Sequence, residues 1–325
     1  MRIIQEKLLP NQAGLTAYLP DSSQEMPNIT ARPAVLIFPG GGYAMCSDRE
    51  AEPVALAYLA QGYAAFILRY TVDAKQNTFP AAFEDAKAAL RQIRSHAKVY
   101  EVDPERIAVA GFSAGGHLAA CLGTMSEEKP DALILGYPVI LSKWGQDWGR
   151  ELPGADEAVT ENTAPTFLFS TQADQIVPIE NSVAFCLALA RAKVPFEQHI
   201  YLDGIHGSSL CTAAVSGGNK AAVNPEMAAW FPMSMRFLQK LWGDFPLFKG
   251  TGEENPDAWI DRPIPELLGN ERAREIIDTL FPGFLEQMPP GLSMSLRRVA
   301  QFSKGAISEK KLEETERQLQ LVMNI

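Results

Sequence analysis

From about residue 31 to residue 242 the chain alternates short apolar runs with segments of helical periodicity. "AVLIFPGGGY" is an unbroken apolar run that ends in glycines, the pattern of a strand buried on both faces. "REAEPVALAYLAQG" reads as a helix that closes near Gly62, and "YAAFILRY" as a second strand. Over 79–97, Phe79, Phe83, Ala86, Leu90 and Ile93 fall on one helical face. "RIAVAGF" predicts a third strand, and "AGGHLAACLG" the helix after it. "DALILGYPV", "APTFLFSTQ" and "PFEQHIYL" predict further strands, with helical runs over 180–192 and 226–242. Upstream, "GLTAYLP" reads as an antiparallel edge strand. This alternation predicts an α/β fold, with a mostly parallel central sheet and helices on both faces.

Two stretches break the pattern. Residues 141–163, "LSKWGQDWGRELPGADEAVTENT", form a long polar insertion that carries Trp144 and Trp148. Residues 245–325 hold no strand pattern. They read as short helices punctuated by Pro and Gly: "IPELLG", "ERAREIIDTLF", "SLRRVAQFS", and a last helix begun by Ser308 with Leu312, Leu319 and Val322 on one side. We expect an α/β domain over 1–244 and a C-terminal helical appendage over 245–325. Packing on the core and self-association are the roles open to the appendage, so a homo-oligomer is compatible with the sequence.

Composition narrows the partners. The chain has 325 residues, 46% of them apolar, enough to bury a large core. Its net charge of −10, with no basic patch, argues against nucleic acid. No run reaches the roughly 18 apolar residues of a membrane span. "MRIIQEKLLPNQAG" has no apolar core followed by a small-residue cleavage site, so a cytoplasmic location is expected. Cys46, Cys121, Cys186 and Cys211 are scattered without metal-type spacing; no metal is expected, and the thiols are expected to be reduced.

The candidate chemistry centres on "VAGFSAGGHLAACLG". Gly111-Phe112-Ser113-Ala114-Gly115 has the form G-x-S-x-G between a predicted strand and a predicted helix, the context of a nucleophile elbow. Glycine two residues before and after the serine removes the side chains that so tight a turn would crush. The turn lifts the Ser113 hydroxyl to a helix N-terminus, where partial positive charge favours an anion. The plainer alternative is a glycine-eased turn with an incidental serine.

A serine hydroxyl needs a base. Of four histidines, His206 sits in the glycine-flanked loop "DGIHGSS" after a strand, where it can reach Ser113. His117 is one turn along the serine's own helix and reads as packing; His96 ends a surface helix and His199 lies within a strand. The base in turn needs a carboxylate. Asp174, in "QADQIVP" after "TFLFST", falls at the carboxyl edge of the sheet; Asp203, three residues before His206, is the rival. For the oxyanion, "FPGGGY" offers backbone amides at Gly41 and Gly42, joined by that of Ala114.

"FPGGGY", "GFSAGGHLA", "QADQIVP" and "GIHG", in this order and spacing, resemble the α/β-hydrolase esterases, and more narrowly the acetyl-esterase and xylan-esterase-like carbohydrate esterases. The resemblance covers about residues 15–242. It implies hydrolysis of small carboxylic esters, often acetyl groups on sugars such as short oligosaccharides, without a cofactor. One departure is Pro39, where many relatives carry histidine; it bears on the subfamily rather than on the chemistry. Substrate contacts are expected from Tyr43, Trp144 and Trp148, with aromatic anchoring of the insertion as the alternative for the tryptophans. Arg49, Glu50 and Glu52 open the helix after the glycine run; they either bind hydroxyls or simply stabilise the helix start. An amide or formamide hydrolase using the same three residues, and a non-catalytic binding protein on this scaffold, remain rival readings.

Overall fold

The computed structural model describes residues 1–323 apart from 24, 27, 148–149, 246–254, 256, 289–292 and 304–306. The chain divides into two compact units, Met1–Asp244 and Phe245–Ile325.

The first unit is built on one eight-stranded sheet. Its strands are β1 (Arg2–Leu8), β2 (Ala13–Leu19), β3 (Arg32–Phe38), β4 (Ala64–Arg69), β5 (Val102–Phe112), β6 (Ala132–Gly136), β7 (Thr166–Thr171) and β8 (Phe196–Tyr201). Their spatial order is β1-β2-β4-β3-β5-β6-β7-β8. The contacts from β4 through β8 are all parallel, whereas β1 pairs with β2 and β2 with β4 antiparallel. The expected edge strand is therefore second in from the edge. The edge itself is β1, whose sequence RIIQEKL is largely exposed and lacks the apolar run that marked the other strands.

Among the described residues eight α-helices accompany the sheet: α1 (Glu52–Ala60), α2 (Phe79–Ser95), α3 (Ala97–Tyr100), α4 (Ala114–Met125), α5 (Ser142–Asp147), α6 (Glu180–Arg191), α7 (Pro225–Ala228) and α8 (Trp230–Trp242). Two apolar layers sandwich the sheet. Leu36, Phe38, Val109, Leu133 and Leu168 pack with Leu90, Leu118 and Phe185 from α2, α4 and α6. Val35, Ile37, Ala110, Ile134 and Phe167 pack with Val54 of α1 and Trp230 and Leu238 of α8. Successive strand residues thus serve opposite layers, and with both faces covered neither register needs a polar side chain.

The second unit is helical: α9 (Ile264–Leu267), α10 (Glu271–Leu280), α11 (Phe284–Gln287), α12 (Leu296–Phe302) and α13 (Glu309–Met323). It has its own apolar core, which includes Ile260, Ile264, Ile277, Leu296, Leu312 and Leu319. Asn270 caps α10 by accepting the amides of Arg272 and Ala273. Among the described residues no helix is long and apolar enough to cross a membrane.

Candidate active site

The carboxyl ends of four parallel strands supply the site. Leaving β5, the chain turns at Ser113 (φ 54°, ψ −118°) directly into α4. That conformation is strained for a residue with a side chain, by an amount on the order of 1–3 kcal/mol. The surroundings hold it: the Ser113 amide donates to Gly136 O at 3.0 Å, and its carbonyl accepts from Val139 N at 3.2 Å. The flanking glycines are required by contact. A Cβ on Gly115 would stand 2.1 Å from Phe38 O, and one on Gly111 would stand 2.3 Å from Gly115 O.

Beyond β8, the loop that carries His206 brings the imidazole to the serine. Ser113 Oγ lies 2.7 Å from His206 Nε2, and His206 Nδ1 lies 2.7 Å from Asp174 Oδ2. An ionised carboxylate only accepts, so Nδ1 carries the proton and Nε2 is free to accept from the hydroxyl. Asp174 is fixed from behind, because its Oδ1 accepts the amides of Ile176 (2.8 Å) and Val177 (2.9 Å). The Asp174 side chain is 1% exposed and that of His206 14% exposed, so the base faces the cavity and the acid does not. Asp203 is exposed, and its carbonyl accepts from Asn224. His199 pairs with Glu197 on β8, and His96 is exposed at the end of α2.

After β3 the glycine run passes against the serine: a Cβ on Gly40 would lie 3.0 Å from that of Ser113. Gly41 and Gly42 line the cavity together with Ser113 and His206. Gly41, at φ 129°, turns its carbonyl to accept the amides of Ala44 (3.0 Å) and Met45 (3.2 Å). The amides of Gly41, Gly42 and Ala114 donate to no acceptor among the described residues. Donors left open in this way beside a nucleophile suit an oxyanion.

Two of the three expected substrate contacts come out differently. Tyr43 is fully buried. Its φ of 58° turns the ring inward, where the hydroxyl donates to His117 Nδ1 at 2.8 Å, so it does not line the cavity. Trp144 packs partly buried against the layer beneath α2 and α4, with Lys143 over its ring, and is an anchor of the insertion. Trp148 lies outside the described residues.

His117 is packing, as its place on the helix implied. Its Nε2–H donates to Pro153 O at 2.9 Å, and burial holds its pKa down at about 4. The cysteines are free, and burial pushes the Cys46 thiol up to about 11, far from a reactive thiolate. Among the described residues no three His, Cys, Asp or Glu side chains gather into a metal-ligating group.

Sequence reasoning undervalued Glu50 and Tyr137. Glu50 is 2% exposed, and its Oε2 accepts the Gly40 amide at 2.8 Å. Its Oε1 accepts the Tyr137 hydroxyl at 2.6 Å, and that hydroxyl accepts the Ser209 amide at 2.9 Å. The Tyr137 ring stands edge-on to His206, centroids 4.9 Å apart. One carboxylate and one phenol therefore join the glycine loop to the histidine loop. Burial raises the Glu50 pKa, which these two hydrogen bonds oppose. Nothing in "SDREAEP" separates Glu50 from its exposed neighbours beforehand.

The BD-FAE family model matches residues 16–136, a span that includes the glycine loop and Ser113. Over 205 residues the chain is 35% identical to endo-1,4-beta-xylanase B of Butyrivibrio fibrisolvens, covering 54% of this chain and 32% of that one. Over 196 residues it is 32% identical to an acetylxylan esterase of Xylanibacter ruminicola, covering 54% of this chain and 40% of the relative. It spans about a third to two fifths of the length of these curated relatives. The crystal structure of MGS-M1, an alpha/beta hydrolase enzyme from a Medee basin deep-sea metagenome library, superposes with a TM-score of 0.70 at 41% identity. That likeness covers 74% of this chain and 98% of the neighbour. The chain belongs to the α/β-hydrolase family of enzymes, in which its sequence similarities lie with esterases.

Proposed function

We propose that the protein is a serine esterase that hydrolyses small carboxylic esters, acetyl groups on saccharides among them, with residues 1–244 carrying the chemistry. The observation that carries this reading is the position of His206, 2.7 Å from Ser113 Oγ on one side and 2.7 Å from Asp174 Oδ2 on the other. In the proposed reaction His206 Nε2 takes the Ser113 proton as Oγ attacks the ester carbonyl. Asp174 holds the ring's tautomer and offsets the charge of the imidazolium. The open amides of Gly41, Gly42 and Ala114 receive the oxyanion. The proton then passes from Nε2 to the departing alcohol, and a water deprotonated by the same nitrogen releases the acid from the acyl-serine. Saccharide acetyl esters are favoured by the likeness to an acetylxylan esterase.

The test compares hydrolysis of p-nitrophenyl acetate, an acetylated xylo-oligosaccharide and N-formylkynurenine by the wild type and by Ser113→Ala. Turnover of the esters that Ser113→Ala loses is expected. Equal turnover by both proteins would remove Ser113 from the mechanism. Activity confined to the formamide would replace the ester reading with an amide one.

A further inference from the structure

The cavity beside Ser113, about 480 Å³ in volume, has two arginines in its wall that the proposed reaction does not use, Arg49 and Arg150. Arg150, which follows the insertion's helix, is only 8% exposed. Its Nη1 donates to Gln76 O at 2.5 Å and its Nη2 to Asp73 O at 2.9 Å. A guanidinium carries five N–H donors, so among the described residues these two bonds leave the others unmet. Among the described residues Arg150 forms no ion pair, although the chain carries a net charge of −10. A buried cation left without an anion is costly, and the usual remedy is a charged partner. At the rim, exposed Arg49 is likewise without an ion pair among the described residues. Its Nη2 reaches to 3.6 Å from where a Cβ on Gly207, next to His206, would stand. Glu50 is the carboxylate in this wall, and its two oxygens are taken by the Gly40 amide and the Tyr137 hydroxyl.

We propose that Arg150, assisted by Arg49 at the rim, forms an anion subsite, and that the preferred substrates are small esters bearing a carboxylate on their acyl or alcohol half. An O-acetylated sugar acid is one such ester. A planar carboxylate suits the fork of free N–H groups on Arg150 and supplies the missing counter-charge. The inference rests on the esterase reading and names the substrate class for the same site.

Matched ester pairs test it, each rate divided by that of spontaneous hydrolysis. 4-Acetoxybenzoate against 4-acetoxybenzamide places the charge on the alcohol half. The monophenyl ester of adipic acid against its terminal amide places it on the acyl half. The wild type is expected to favour the charged member of one pair in kcat/KM by about tenfold or more, falling with added salt, and the pair that responds identifies the half. Arg150→Gln is expected to bring that ratio close to one, Arg150→Lys to restore part of it, and Arg49→Ala to lower it less. The ratio is internal to each preparation, so partial unfolding of a variant does not imitate the effect. Wild-type ratios near one for both pairs, with the neutral esters still turned over in a Ser113-dependent way, would overturn the subsite and leave the esterase standing. A charged-ester preference unchanged in Arg150→Gln would remove Arg150 from it. Hydrolysis of none of the four, with p-nitrophenyl acetate still turned over in a Ser113-dependent way, would overturn the subsite alone; loss of that ester and the acetylated xylo-oligosaccharide as well would overturn both readings.

Discussion

Two histidine environments lie close to Ser113 and differ in every respect that matters for chemistry. His117, on α4, has a phenol on one ring nitrogen and a backbone carbonyl on the other, and no water reaches it. His206, after β8, has an alcohol on one nitrogen and a carboxylate on the other, and part of its ring faces the cavity. At the first, burial penalises a charged ring by more than the bond to the Pro153 carbonyl favours it. The second gives a proton taken from Ser113 somewhere to rest, because Asp174 stabilises the imidazolium. Two hydrogen bonds per ring are therefore not the mark of a base; the charge of the partner and the access to the cavity are.

Removing the chemistry should have the largest effect. Ser113→Ala or His206→Ala is expected to lower kcat for an acetyl ester by about 10⁴-fold or more while the thermal midpoint moves little. Steady-state kinetics and calorimetry on the same preparations read both. His117→Ala should do the opposite. It leaves the Tyr43 hydroxyl unpaired in a buried hole, with a loss of about 2–4 kcal/mol in urea unfolding and near-normal kcat at low temperature.

Acid sharpens the contrast. The folded pKa of His117, about 4, lies below its ordinary 6.5, so the unfolded chain binds the proton more readily. The stability held by the neutral ring is intact above pH 6.5 and is lost as pH falls from there through 4. Unfolding curves should show a fall of roughly 3 kcal/mol across that window from this group, absent in His117→Ala. The smallest effect is expected from Tyr137→Phe. It unties Glu50 from the Ser209 amide and should lower kcat by about threefold to tenfold, with about 1 kcal/mol of stability.

Sequence legibility followed the same division. Gly111 and Gly115 declared the turn because its steric demand falls on backbone contacts that any side chain would break. The unbroken apolar runs of β3, β5 and β6 declared their places in the sheet, because both faces of each are covered. The approach of Ser113, Asp174 and His206 was readable because each follows a strand, and parallel strands bring their carboxyl ends to one edge. β1 was missed because its exposed face carries no apolar pattern. Tyr43 was misplaced because a positive φ reverses where a side chain points, and no residue type announces it there. Glu50 and Arg150 were invisible as buried charges. Their burial comes from segments distant in the chain, Tyr137 for the one and the carbonyls of Asp73 and Gln76 for the other.

The most direct measurement of the central claim is the site of covalent capture by an organophosphonate that mimics the ester. Intact-mass and peptide-mass spectrometry should find one adduct per chain, on Ser113, appearing in step with loss of esterase activity, and should find it slowed by orders of magnitude in His206→Ala. An adduct on another residue that accompanies inactivation, or full activity retained with Ser113 blocked, would contradict the account.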